Sequence, residues 1–202
     1  MKKKLVILLT LLAVIGLCGC GGTSGDTMYI EPAQLTEEEE KIVDLLDRDI
    51  RHCMFDFSVD DTLQSAQFQV YQLVEGAWSP ASGGGSLAFS DAEGRLILDF
   101  DDLRTGLRVA VQSKRTGDSS AYEKDTGEEP ETSGLGRGTS VLRKRTEIAY
   151  EAEIPLAMQV FTPEDTIILY DPAEVLDHPE EYTRYGYEAY VITVSFSRDP
   201  LS

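Results

Sequence analysis

The chain has 202 residues, of which 36 are acidic and 18 are Lys or Arg, so its formal charge is −18. Phosphate backbones repel such a surface, and non-specific nucleic-acid binding needs the Lys and Arg side chains that release counterions. We therefore expect no nucleic-acid partner. The three cysteines and two histidines stand at no C-x-x-C or H-x-x-x-H spacing, which excludes the usual structural zinc sites.

The amino terminus has the order of an export signal. Lys2, Lys3 and Lys4 form a positively charged start, and the uncharged segment Leu5–Leu17 follows with 13 residues. A helix of that length spans about 20 Å, whereas the hydrocarbon core of a bilayer is about 30 Å thick. The segment is therefore short for a membrane span and has the length of the apolar part of a signal peptide.

The residues that end this segment, Leu17-Cys18-Gly19-Cys20, indicate the kind of signal. They resemble the lipobox of bacterial lipoproteins, which has a branched apolar residue at −3, small residues at −2 and −1, and then the cysteine. The resemblance implies that residues 1–19 are a cleaved signal peptide and that a diacylglycerol is attached to Cys20. It also implies that the mature protein is anchored to the cell membrane with its domain outside the cytoplasm. Cys18 fits less well, because bulky Leu17 would then stand at −1.

Cleavage before Cys20 would remove three lysines and no acidic residue, leaving 15 basic and 36 acidic side chains and a formal charge of −21. The Gly/Ser/Thr-rich residues 20–34 are predicted to form a flexible tether of roughly 20 Å. A domain this acidic is expected to stand off an anionic lipid surface rather than lie on it. Cys53, the one remaining thiol, is expected to be a small buried hydrophobe.

One helix is predicted after the tether. Thr36 and Glu39 have the spacing of a capping box, and the acidic residues Glu37–Glu40 would interact favourably with the helix dipole in the first turn. Apolar residues then recur at helical spacing, and they predict the buried face of the helix: Ile42, Leu45, Leu46, Ile50 and Cys53.

After this helix the apolar residues alternate with polar ones, which predicts antiparallel strands joined by short turns such as Glu75-Gly76. The alternating apolar positions are Phe55, Phe57, Val59, Ala66, Phe68, Val70, Leu96, Leu98, Leu107, Val109 and Val111. A further seven even-numbered apolar positions from Ile148 to Val160 predict one long half-buried strand. Pro155 within it indicates an edge position or a bulge. Thr166–Tyr170 is predicted to be a short strand, and the final strand, Tyr187–Phe196, is apolar on both faces and therefore central.

Residues 113–140 lack apolar periodicity, so they are predicted to be a mobile insertion within one domain at 35–202. Asp171-Pro172 has the pattern of a helix start and predicts a short helical turn near 172–177. Eight or nine strands with these two helical elements predict an all-β fold, an antiparallel β-sandwich with the helix at one end. A closed barrel is the alternative.

Three aspartates at the end of a predicted strand are candidate metal ligands. Asp99 and Asp101 share a face, and Asp102 follows, which is an arrangement of oxygen donors that suits Ca²⁺. The simpler interpretation is a solvated strand end. A hydrolase that uses these carboxylates for acid–base or Ca²⁺-dependent chemistry is the corresponding enzymatic hypothesis.

Aromatic and basic residues near the end of the chain are candidates for binding. Tyr182, Arg184 and Tyr185 precede the last strand, and exposed tyrosines of this kind stack on peptides or glycans. Packing in a core is the alternative for them. Arg143–Arg145 is a run of three basic residues, which either balances local acids or docks an anionic partner. Because no catalytic constellation is evident, the sequence favours a non-catalytic binding or structural module over the hydrolase.

Overall fold

Two antiparallel sheets dominate the computed structural model, which describes residues 27–45, 53–88, 91–115, 117–123 and 134–201. The strands are β1 (Tyr29–Pro32), β2 (Met54–Ser58), β3 (Ser65–Val74), β4 (Ala77–Ala88), β5 (Glu93–Asp99), β6 (Gly106–Ser113), β7 (Gly117–Glu123), β8 (Gly136–Val141), β9 (Thr146–Glu147), β10 (Ile154–Thr162) and β11 (Glu188–Ser197). The helices are α1 (Glu37–Leu45), α2 (Pro172–Val175) and α3 (Pro179–Arg184).

The strands divide between a first sheet in the order β7-β6-β5-β2-β1-β9 and a second sheet in the order β4-β3-β11-β10-β8. Alternate side chains from both sheets meet between them and exclude water, as the period-two pattern predicts. Phe55 and Phe57 of the first sheet and Phe68 and Phe196 of the second are at most 2% exposed. The prediction of an antiparallel β-sandwich is therefore confirmed.

A third layer covers the outer face of the second sheet. Helices α2 and α3 and the chain before them pack on β10 and β11, enclosing a second apolar cluster that includes Met158, Val160, Tyr182, Tyr187 and Val191. The two central strands are consequently buried on both faces, and β11 was predicted to be so. Helix α2 begins with the predicted cap, in which the Asp171 carboxylate accepts a hydrogen bond from Ala173 N at 3.1 Å.

The predicted long strand from Ile148 to Val160 is wrong in two respects. The chain turns between β9 and β10, with Glu151 at a φ of 63°, so the even-numbered positions do not belong to one strand. All nine residues of β10 are buried, because the sandwich core lies on one face and the helical layer on the other. The register with β11 shifts between Pro155 and Ala157, so the predicted irregularity at the proline is confirmed as a bulge.

Three further predictions also need correction. Within the predicted insertion 113–140, β7 pairs with β6 and β8 pairs with β10, while residues 124–133 lie outside the described residues. The predicted tether 20–34 includes β1, whose Ile30 is fully buried. Thr166–Tyr170 is not a strand, although it runs beside β8, where the Ser140 hydroxyl donates to Tyr170 O at 2.7 Å.

Helix α1 has the predicted capping box but a different buried face. Glu39 N donates to the Thr36 hydroxyl at 3.3 Å, and Thr36 N donates to the Glu39 carboxylate at 2.8 Å. Val43 is the buried apolar residue of this helix, whereas Ile42 and Leu45 are 60% and 84% exposed. In the described part of the chain, no helix is long and apolar enough to cross a membrane.

Candidate functional site

Of the aspartates predicted to bind calcium, Asp99 ends β5, and Asp101 and Asp102 lie in the turn between β5 and β6. Asp102 is buried there, and its carboxylate binds the Arg104 guanidinium, with Nη2 to Oδ2 at 2.6 Å and Nε to Oδ1 at 3.0 Å. Arg104 also lies 3.8 Å from the Phe161 ring centroid and 3.7 Å from a Glu188 carboxylate oxygen. The Asp102 hydrogen bond, supported by both negative charges, raises the pKa of Arg104. The Asp102 carboxylate is therefore part of a buried ion pair.

The same turn is fixed to the second sheet by Gln159 of β10. Its side-chain oxygen accepts from Leu103 N at 2.8 Å, and its amide nitrogen donates to Asp101 O at 2.9 Å. The Asp101 carboxylate lies on the outside and pairs with Arg137 at 3.0 Å. Among the described residues, no group of three or more His, Cys, Asp or Glu side chains is arranged to hold a metal. Ca²⁺ at Asp99, Asp101 and Asp102 would have to compete with two arginines.

Carboxylates elsewhere in the described chain are also held by hydrogen bonds, and these stabilise the charged form. The Thr62 and Tyr150 hydroxyls, with help from Thr62 N and Arg198, lower the pKa of Asp60 to about 2. The Ser113 hydroxyl and Arg115 lower the pKa of Asp91. A general acid of a hydrolase needs a raised pKa, so these groups suit structural pairing rather than proton transfer.

The tyrosines before the last strand are divided between core and surface. Tyr182 is 1% exposed, and its hydroxyl accepts a hydrogen bond from Tyr170 N at 3.3 Å. The Tyr187 hydroxyl accepts from Ile168 N at 3.2 Å and donates to Thr166 O at 3.4 Å. Tyr182 is therefore a packing residue, which corrects its prediction as a ligand contact. Its hydroxyl and that of Tyr187 hold the backbone of the segment that was predicted to be a strand.

Arg184 and Tyr185 remain at the surface of this layer. Tyr185 is half-buried and stacks on Tyr187 with ring centroids 5.3 Å apart, while exposed Arg184 lies 5.6 Å from the Tyr185 ring. The stacking and the cation–π contact give these two side chains partners within the protein. Binding of a peptide or glycan at this position stays a prediction.

The basic run Arg143–Arg145 lies directly before β9, next to the first strand, β1. Tyr29 of β1 pairs with Glu147 of β9, and Arg145, two residues earlier, places its guanidinium 3.4 Å from the Tyr29 ring centroid. Arg143, Lys144 and Arg145 are all exposed. We call these three residues the basic cluster.

The basic cluster forms no ion pair in the described part of the chain. None of its three side chains lies within 4.0 Å of a carboxylate oxygen there, although Glu31 and Glu147 are near in register. Six other cations do have such partners, namely Arg95, Arg104, Lys114, Arg115, Arg137 and Arg198. The sequence identified the cluster but not its position, because pairing of β1 with β9 is a long-range contact.

The predicted lipidation residue, Cys20, lies outside the described residues. Cys53 is buried among the residues of the sandwich core, as predicted. No family model, no curated protein and no solved structure matches this chain.

Proposed function

We propose that this protein is a lipid-anchored extracytoplasmic lipoprotein whose β-sandwich is a non-catalytic binding or structural module. The observation that carries the proposal is the Leu17-Cys18-Gly19-Cys20 motif, placed directly after a positively charged and apolar leader. Two acyl chains, at about 0.8 kcal/mol for each buried methylene, would hold such a protein stably on a membrane.

The arrangement of the domain supports this role. Its first strand begins at Tyr29, nine positions after Cys20, so the folded part starts close to the anchor. Two of the carboxylates that the sequence offered for hydrolysis support a structural role too, because buried Asp102 holds Arg104 and Asp101 pairs with Arg137. A module that binds or spaces other envelope components needs a rigid surface, and these ion pairs contribute to one.

Metabolic labelling with a clickable palmitate analogue tests the proposal in the bacterial host. The wild-type protein should carry the label and partition into the detergent phase, and Cys20→Ala should lose the label and accumulate as an unprocessed precursor. Cys18→Ala is the matched control and should retain labelling close to the wild-type level. Label that persists on Cys20→Ala and disappears from Cys18→Ala would show that the anchor residue is assigned wrongly.

An absence of label on all three proteins would contradict lipid anchoring itself. Mass spectrometry of the mature amino terminus gives the same answer independently, because cleavage before Cys20 and cleavage elsewhere leave different first residues. We expect an acylated amino-terminal peptide that begins at Cys20.

A further inference from the structure

The basic cluster directly precedes β9, the edge strand of the first sheet. Strand β9 pairs with β1, which is the first described strand after the proposed anchor residue, Cys20. Arg145 contacts the ring of Tyr29 at 3.4 Å, and Ile148 N donates to Met28 O at 2.9 Å, so the β9 region is joined directly to the start of the folded chain. We propose that the basic cluster binds the anionic phospholipid headgroups of the membrane that holds the lipid anchor, and so orients the domain. This inference rests on the proposed function.

The cluster is within reach of the membrane surface. Cys20 precedes Tyr29 by nine positions. An extended chain advances by at most about 3.6 Å for each residue, so Tyr29 lies within about 32 Å of the acylated residue. Lys144 and Arg143 precede Arg145 directly, so their Cα atoms lie within about 8 Å of that of Arg145. An anchor on Cys20 therefore keeps the cluster close to the lipid.

The charge state of the cluster favours phosphate groups as its ligand. Its three cations are exposed and have no carboxylate within 4.0 Å in the described structure, so their charge is not neutralised locally. Glu31 and Glu147 are near the cluster in register without pairing with it, and physiological salt screens the more distant negative charge of the protein over about 8 Å. Attraction between the cluster and a headgroup layer therefore survives although the whole domain is acidic.

Strand β9 pairs antiparallel with β1, with Tyr29 opposite Glu147, so the backbone of the basic cluster lies toward the Pro32 end of β1 and the Arg145 side chain reaches back to the Tyr29 ring. Headgroup binding by the cluster would give the domain a preferred orientation, whereas the sequence-based expectation is a domain that stands off an anionic surface.

Lysine footprinting on vesicles tests the inference with the full-length acylated protein. The protein is reconstituted into vesicles of phosphatidylcholine alone, or of phosphatidylcholine and phosphatidylglycerol in equal parts, and treated with a water-soluble amine reagent. Lys144 reports on the cluster. Lys114, which is 84% exposed and follows β6, is the internal control, since four strand spacings of about 4.8 Å separate β6 from β9.

On the anionic vesicles, the modification rate of Lys144 relative to that of Lys114 should fall about fivefold or more, and high salt should abolish the difference. On neutral vesicles the ratio should equal that in detergent. Arg143→Glu should restore the reactivity of Lys144. Arg108→Glu, an equal charge change at an exposed position on β6, should leave the protection unchanged.

The outcomes separate this inference from the proposed function. A protein that fails to float with any vesicles contradicts the lipid anchor. A protein that floats while Lys144 and Lys114 react at an unchanged ratio overturns the headgroup contact and leaves the anchor standing. Protection that persists on neutral vesicles or in high salt indicates pairing between copies at the β9 edge, and protection found only in cell membranes indicates a protein partner. Either result overturns the inference.

Discussion

The two faces of the second sheet are covered in chemically different ways. The inner face meets the first sheet through aliphatic and phenylalanine side chains that alternate along the strands, with Phe68 and Phe196 almost fully buried. The outer face is covered by short helices and by residues 163–170, whose backbone is held by the hydroxyls of Tyr182 and Tyr187. The inner core consists mainly of apolar side chains, whereas the outer layer also depends on hydrogen bonds that hold an irregular segment of backbone.

This difference has a physical cause. Strands satisfy their backbone groups by pairing, so an inner core needs only shape and hydrophobicity. An irregular segment packed on a sheet has no neighbouring strand for its N–H and C=O groups, and an unpaired buried group costs about 1–3 kcal/mol. Tyrosine supplies a buried ring and a polar atom together, which suits this position.

The largest expected effect comes from the inner core. Phe68→Ala should lower the free energy of unfolding by about 3–5 kcal/mol, because it removes a ring that is 1% exposed and leaves a cavity. Gln67→Ala, the exposed neighbour on the other face of β3, is the control and should change stability by less than about 0.5 kcal/mol. Urea denaturation measures both. Equal losses would mean that the register of β3 is wrong.

The buried Asp102–Arg104 ion pair lies in the turn between β5 and β6, and Arg104 also contacts Phe161 and Glu188 of the second sheet. Asp102→Ala should cost about 3 kcal/mol, because it leaves the 6% exposed guanidinium of Arg104 without its main partner. Asp101→Ala removes only the exposed pair with Arg137 and should cost less than about 1 kcal/mol. If the two variants are equally stable in urea, the Asp102–Arg104 pair has no structural role.

The outer layer should respond to the loss of a single hydroxyl. Tyr187→Phe keeps the ring but removes the acceptor for Ile168 N, so we expect a loss of about 1–2 kcal/mol. Hydrogen exchange should accelerate at the Ile168 amide, while the Val194 amide in the centre of β11 stays protected. An unchanged rate at Ile168 would show that the Tyr187 hydroxyl does not hold this segment.

The inner core could be predicted from the sequence, because burial on one face of a strand produces a period of two. The turn at Glu151 could not, since Tyr150 and Ala152 continue the even-numbered alternation across the break. Strand β8 escaped prediction because it is rich in glycine. A Cβ at Gly138 would lie 3.0 Å from a methyl group of Ile167, so the close approach of the 166–170 segment favours glycine there. Such a preference comes from a tertiary contact and leaves no periodic signal.

The candidate sites also divide into those with a local signal in the sequence and those that depend on tertiary contacts. The sequence identified Asp102, Tyr182 and the basic cluster as candidates, but the surroundings of Tyr182 and of the basic cluster depend on contacts distant in the chain. Asp102 is the exception, because its main partner, Arg104, lies only two residues away, and an aspartate that caps a turn and binds an arginine at that spacing is a local pattern. That signal was available in the sequence, and it favours an ion pair over a metal ligand.

The smallest expected effect lies at an exposed polar cluster that joins the ends of the two sheets. Asp60 follows β2, accepts from the Tyr150 hydroxyl at 2.8 Å and pairs with Arg198, which follows β11, at 3.3 Å. Hydrogen bonds from Thr62 and Tyr150 lower the pKa of Asp60 from 3.8 to about 2, so the folded state favours the charged carboxylate. The stability that the charged Asp60 carboxylate adds to the folded state is complete above about pH 4 and disappears as the pH falls toward 2. Because the Asp60 side chain is 40% exposed, solvent screens the interaction, and Asp60→Asn should lower the Tm at pH 7 by less than about 4 °C. Thermal melts of both proteins between pH 7 and pH 2 should therefore converge at the acid end, and a constant difference across that range would show that the charge of Asp60 contributes nothing.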